Sequence, residues 1–74
     1  MEKIIIERIS VFSDMKMSDI KIDSLFEDDL KLDNIDLAEI CLELEDKLKI
    51  TIDYNMLFKI KTVGDLIYYI KGLI

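Results

Sequence analysis

The sequence predicts an all-α fold: a helical bundle with three main helices, a short third helix and a long first loop. Apolar residues recur at helical spacing over residues 2–13, 34–48 and 63–72. Asp33 and Thr62 are each followed three residues later by an aspartate, as at helix starts. No pair of alternating segments flanks a hairpin turn. With 74 residues, the chain is expected to form one domain, 1–74.

The first helix is predicted over residues 2–13. Ile5, Ile9 and Phe12 keep the i, i+4, i+7 spacing of one helical face. The β-branched run at 4–6 could form a strand if it stood alone. Because no partner strand follows it, a helix is the preferred interpretation.

Residues 14–33 have no sustained periodicity and are expected to form a long loop. Loops of this length without any structure are uncommon in small domains. We therefore expect apolar side chains to fasten the segment across the bundle, with Phe26 and Leu30 in the core. One short helical turn is expected near residues 24–29.

The helix predicted at residues 34–48 organises the chain because it has two apolar faces. One face spans an arc of about 100° and is expected to line the core; it consists of Leu37, Ile40, Cys41, Leu44 and Leu48. Nearly opposite lie Ile35, Ala38 and Leu42, bordered by carboxylates. An apolar strip rimmed by acids is typical of a docking surface for a basic protein. The alternative is that other helices cover both faces.

Three shorter segments complete the chain. Residues 50–53 alternate apolar and polar side chains and should form an extended linker. Residues 54–59 have room for only a short third helix. A final helix should begin after Thr62, end near Gly72 and bury Val63, Leu66, Ile67 and Ile70.

The net charge of −6 is unevenly distributed. Residues 27–46 contain nine acidic residues and one lysine, a net charge of −8, which leaves +2 for the remainder. Such a face repels nucleic acid and attracts basic protein patches. We therefore expect basic protein partners and no nucleic acid.

Several kinds of chemistry lack the residues they need. The chain has no histidine and a single cysteine, Cys41, which excludes a zinc set, a Cys-His pair and an internal disulfide. The only glycines, Gly64 and Gly72, form no phosphate-binding loop. No apolar run approaches the roughly 18 residues of a membrane span, and no signal-peptide pattern is present. We expect a cytoplasmic monomer that is neither an enzyme nor a metal protein, with Cys41 in the core.

Three segments of the chain carry a family pattern: residues 26–40 read FEDDLKLDNIDLAEI, residues 50–52 read ITI, and residues 62–66 read TVGDL. In this order and without a gap, they resemble the acyl carrier protein family. The first segment resembles its F-x-E-D-L-G-x-D-S-L-D-x-V-E-L region, the second its F-x-I-x-I-P linker, and the third the start of its fourth helix. The resemblance covers about residues 15–74. It implies a four-helix bundle, an acyl chain carried on phosphopantetheine, and an acidic second helix that partner enzymes recognise.

One departure from the family concerns the attachment site. The family links phosphopantetheine to a serine at the start of the second helix, and Asn34 stands at the matching position. A carboxamide has no hydroxyl to form the phosphodiester, so no covalent cofactor is expected. Lys31 and Asp53 replace the family's glycine and proline. Asp23-Ser24-Leu25 also reads D-S-L, but Ser24 lies ten residues too early and is not expected to be modified.

The resemblance leaves three interpretations. In the first, the chain has lost the cofactor and kept docking, in fatty-acid- or polyketide-type biosynthesis. In the second, it is a genuine carrier whose serine was substituted to block modification. In the third, it is a purely structural helical subunit. For docking to acyl-chain synthesising or transferring enzymes, the candidate residues are Asp33, Ile35, Asp36, Ala38, Glu39, Leu42, Glu45 and Asp46.

Overall fold

Three α-helices form the framework of the protein in a computed structural model that describes residues 1–74. They are α1 (Glu2–Ser13), α2 (Asn34–Leu48) and α3 (Val63–Lys71). Two short 3₁₀ helices lie at Met17–Asp19 and Tyr54–Lys59. The all-α prediction is confirmed, and the short third helix has 3₁₀ geometry. No helix is both long enough and apolar enough to cross a membrane.

The long first loop is fastened to the bundle along its length. Phe26 and Leu30 are buried, as predicted. The Leu25 carbonyl accepts a hydrogen bond from the Leu30 N–H at 3.0 Å, which closes a turn at the expected place. Leu25 also forms an isolated antiparallel bridge with Thr62, next to the start of α3. The 3₁₀ helix Met17–Asp19 was not predicted, because three residues are too few to show a period.

Side-chain caps fix where α2 and α3 begin. The Asp36 N–H donates to Asp33 Oδ1 at 2.9 Å, and the Asp33 N–H donates to Asp36 Oδ2 at 3.1 Å. Thr62 and Asp65 exchange the same pair of bonds, at 3.0 and 3.1 Å. Each reciprocal pair satisfies backbone donors that the first helical turn leaves unpaired. Both predicted helix starts are confirmed.

The core is one apolar cluster to which all three α-helices contribute. α2 supplies Leu37, Ile40, Cys41 and Leu44, and α3 supplies Val63, Leu66, Ile67 and Ile70. Ile5 and Ile9 of α1 are also fully buried, whereas Phe12 only packs against the cluster. Leu48 is half-buried at the edge of the core, because the helix ends there and leaves one side of it open.

Gly64 marks a close approach between α3 and the long loop. Its N–H donates to the Ile22 carbonyl at 2.8 Å, and an added Cβ would lie 2.7 Å from Ile22 Cγ2. We expect Gly64→Ala to lower the free energy of unfolding by about 1–3 kcal/mol, because backbone or side chain must move. Urea denaturation measures this change.

Gly72→Ala is the matched control for that measurement. A Cβ at Gly72 would meet nothing closer than the Tyr69 carbonyl oxygen at 3.4 Å. Its stability should therefore stay near that of the unsubstituted chain. Equal losses in the two variants would contradict the steric explanation.

Candidate functional site

Asn34 is the first residue of α2 and lies exposed beside the Asp33 cap. It borders a pocket of about 170 Å³ whose lining is half apolar, with Phe26, Leu32 and Leu37, and half polar, with acids that include Glu27 and Asp28. Its side chain is a carboxamide, which cannot form the phosphodiester that links phosphopantetheine to a serine. The residue at this position therefore does not fit the covalent cofactor.

Ser24 is held inside the fold. The residue is buried, and its Oγ accepts a hydrogen bond from the Lys21 N–H at 2.9 Å. Its carbonyl accepts from the Val63 N–H at 3.0 Å, which ties the backbone to α3. A transferase could reach this hydroxyl only after local unfolding, which agrees with the expectation that Ser24 is not the attachment site.

The second apolar face of α2 is open to solvent. Ile35 is 70% exposed and Leu42 is 56% exposed, so no other helix covers them. The alternative that helices cover both faces is wrong for these two residues. Ala38 differs, because it is half-buried and packs against the edge of the core.

Two carboxylates beside these apolar residues are unpaired. Glu39 and Asp46 are exposed and form no hydrogen bond or ion pair within the chain. At 100° per residue they lie on the same side of the helix as Ile35 and Leu42. We call these four residues, Ile35, Glu39, Leu42 and Asp46, the exposed α2 strip.

The remaining acids of α2 are engaged within the chain. Asp33 and Asp36 each use one carboxylate oxygen in the helix cap, which leaves the other free. Glu43 pairs with Arg8 of α1 at 2.9 Å. Some acids of this helix therefore form hydrogen bonds or ion pairs within the chain, and the others are free to contact a partner.

Glu45 connects α2 to the following segment. Its Oε2 accepts from the Ile52 N–H at 2.7 Å, and its Oε1 accepts from the Tyr54 hydroxyl at 2.8 Å. These bonds hold the pKa of Glu45 below its ordinary value of 4.5. Burial and the neighbouring carboxylate raise the pKa of Tyr54 to about 12. Both oxygens of Glu45 are thus occupied by the chain itself.

We expect Glu45→Gln to weaken the pH dependence of stability. A carboxylate whose pKa is lowered by folding stabilises the protein above its unfolded pKa, and this contribution is lost as pH falls through the lower folded pKa. The variant should be less stable at pH 7, and its stability should fall less steeply below about pH 4.5. Urea denaturation between about pH 7 and 2 measures both effects.

Glu39→Gln is the control, because Glu39 has no partner in the chain. Its pH profile should follow that of the unsubstituted chain. Glu2 and Asp65 also have lowered pKa values, so Glu45→Gln should reduce the slope without removing it. A profile unchanged in Glu45→Gln would contradict the connecting role.

Cys41 is fully buried on the core face of α2. Burial raises the pKa of its thiol to about 12, so the reactive thiolate does not form near neutral pH. Cys41 is therefore a small core residue, as predicted.

The fold and the capped start of α2 define a carrier-type helical bundle. The family model described as the phosphopantetheine attachment site matches residues 3–70. The acyl carrier protein of Exiguobacterium sibiricum (strain 255-15) is 41% identical over 56 residues, which cover 76% of this chain and 71% of that relative. This chain belongs to the phosphopantetheine-binding acyl carrier family, whose members are carriers and not enzymes.

Proposed function

We propose that this chain is a non-carrying member of the acyl carrier family that works by binding partner enzymes through α2. The observation that supports it is Asn34, which stands at the first position of α2, where the family resemblance places the attachment serine. The surface beside it has kept the acids and apolar side chains of a docking helix. Its partners would be acyl-chain synthesising or transferring enzymes of fatty-acid- or polyketide-type biosynthesis.

The exposed α2 strip supplies both kinds of contact that such docking needs. Burying Leu42 against a partner would contribute roughly 1.5–3 kcal/mol, which is enough to dominate a weak contact. Glu39 and Asp46 would attract a basic patch and set the orientation of approach. Asp33 and Asp36 add charge near the start of the helix through their free oxygens.

Two of the docking candidates have a smaller part in this proposal. Ala38 is half-buried and offers little area to a partner. Glu45 has both oxygens bonded to Ile52 and Tyr54. Its charge still contributes to the acidic field of α2, but a direct contact with a partner would have to compete with these bonds.

The experiment is a pull-down from cell extract with the tagged chain, followed by mass spectrometry of what is retained. Leu42→Ala and Glu39→Lys should each lose the same set of basic partners. Retention should also fall as the salt concentration is raised, because salt screens the attraction between exposed charges. The screening length is about 10 Å at 0.1 M and becomes shorter as salt is added. We expect the retained set to include enzymes that act on acyl chains.

Matched controls come from α1. The side chain of Val11 is 63% exposed, a fraction similar to the 56% of Leu42. Glu7 is exposed and forms no ion pair. Val11→Ala and Glu7→Lys should retain the partners. Equal loss in all four variants would indicate nonspecific capture, and no loss in any of them would contradict docking through α2 and favour a purely structural subunit.

A genuine carrier whose serine was substituted is the second candidate, and the intact exposed strip favours it equally. The two candidates differ in what a restored serine does in the cell. A substituted carrier with its serine restored should support acyl-chain synthesis, whereas a non-carrying homologue should not gain that role.

A further inference from the structure

The segment that follows α2 is tied to the helices by side chains. Ile52 buries its own side chain in the core. The Ile52 N–H donates to Glu45 of α2 at 2.7 Å, and the Asp53 N–H donates to the Tyr69 hydroxyl of α3 at 2.9 Å. No backbone carbonyl of either helix accepts a hydrogen bond from residues 51–55. The position of this segment therefore depends on a few side chains.

Glu45 holds two points of that segment at once. Besides the Ile52 N–H, it accepts the Tyr54 hydroxyl at 2.8 Å, and Tyr54 is the first residue of the 3₁₀ helix Tyr54–Lys59. The bond lies at the surface, since Tyr54 is 38% exposed. We call the two bonds from Ile52 and Tyr54 to this carboxylate the Glu45 latch. A side chain that replaced these donors would release the beginning of the 3₁₀ helix from α2.

The same carboxylate borders the exposed α2 strip. At 100° per residue, Glu45 lies about 60° around the helix from Leu42 and three residues further along it. Glu45 is partly exposed and forms no ion pair, so its negative charge is not compensated within the chain. The two donors of the latch are neutral, whereas a lysine or arginine of a docked partner would add Coulomb attraction to the hydrogen bond. A partner cation beside Leu42 would therefore compete for Glu45.

We propose that the Glu45 latch couples the docking of a basic partner on α2 to the position of the segment after α2. A basic side chain that binds Glu45 displaces the Tyr54 hydroxyl and the Ile52 N–H, which loosens the start of the 3₁₀ helix. The coupling is reciprocal, so the closed latch lowers the affinity of α2 for its partner by the same factor by which the bound partner opens the latch. This inference rests on the proposed function, because it needs a basic partner on α2.

Amide hydrogen exchange, measured by NMR, tests whether the latch holds the segment. Glu45→Ala removes both acceptor oxygens, and exchange at the Ile52 N–H should become at least about tenfold faster. Glu39→Ala removes a carboxylate that has no partner in the chain, and it should leave this exchange rate unchanged. An unchanged rate in Glu45→Ala would overturn the proposal.

A hexalysine peptide, titrated at low salt and followed by NMR, tests the coupling. Binding of the peptide to α2 should speed exchange at the Ile52 N–H of the unsubstituted chain. Tyr54→Phe keeps the ring and removes the competing hydroxyl, so its affinity for the peptide should rise about fivefold or more. Tyr68→Phe is the matched control, because Tyr68 is 83% exposed and is the one tyrosine whose hydroxyl forms no hydrogen bond. Its affinity for the peptide should equal that of the unsubstituted chain.

The outcomes separate this inference from the proposed function. Equal affinities in Tyr54→Phe and the unsubstituted chain would overturn the coupling and leave docking through α2 standing. Peptide binding at α2 that does not change exchange at the Ile52 N–H would do the same, and a peptide that does not bind α2 would also overturn the coupling. The proposed function fails instead if the pull-down partners are retained by Leu42→Ala and Glu39→Lys, variants that leave the latch intact.

Discussion

Leu44→Ala is expected to lower the free energy of unfolding by about 2–5 kcal/mol, whereas Leu42→Ala, two residues earlier, should change it by no more than about 0.5 kcal/mol. Leu44 is fully buried on the core face of α2, so truncation leaves a cavity. Leu42 is 56% exposed on the opposite face and loses little by truncation. The loss at Leu44 is a large share of the roughly 5–15 kcal/mol that stabilises a typical domain.

Urea denaturation of both variants measures the difference directly. Leu44→Ala could be too unstable to give a folded-state baseline in the urea curve. In that case Ile40→Val is a milder core truncation, which should lower the free energy of unfolding by about 0.5–1.5 kcal/mol. Substantial destabilisation by Leu42→Ala would mean that the second face of α2 is part of the core. Docking through that face would then lose its physical basis.

Asn34→Ser is expected to turn the chain into a substrate for a phosphopantetheinyl transferase. The new hydroxyl would attack the β-phosphate of coenzyme A, form the phosphodiester and release 3′,5′-ADP. Asn34 is exposed at the first position of α2, so a serine there would be accessible without any change in the fold. Intact mass should rise by one phosphopantetheine group, while Asn34→Ala, which has no nucleophile, should stay unmodified.

Lys31 provides a second variant if Asn34→Ser is not modified. Its φ is 57°, in the left-handed region where glycine is favoured. The family resemblance places a glycine at this position. Lys31→Gly combined with Asn34→Ser restores both residues that the family resemblance places here. If only the double variant is modified, Lys31 is what prevents modification of Asn34→Ser. If neither variant is modified, this chain no longer has a surface that the transferase recognises.

Periodicity and capping were enough to predict the helices and most of the core. The reciprocal caps at Asp33 and Thr62 depend on residues three apart in sequence, which makes them visible without a structure. Phe26 and Leu30 could be assigned to the core because a loop this long in a small domain has to be fastened by apolar side chains.

Contacts between distant segments could not be predicted in the same way. Glu45 looked like any other surface acid, because its bonds to Ile52 and Tyr54 depend on how the chain turns after α2. Likewise, helical spacing placed Ala38 with Ile35 and Leu42, but the packing of neighbouring helices at the edge of the core decided its burial. A helical wheel gives direction around one helix and not the distance to the next.

The most direct measurement is the intact mass of the unsubstituted chain after incubation with a phosphopantetheinyl transferase and coenzyme A, with Asn34→Ser treated in parallel. We expect the unsubstituted chain to keep its mass while Asn34→Ser gains one phosphopantetheine group. A phosphopantetheine adduct on any side chain of the unsubstituted chain, located by peptide mapping, would contradict the proposal that this protein acts without a covalent cofactor.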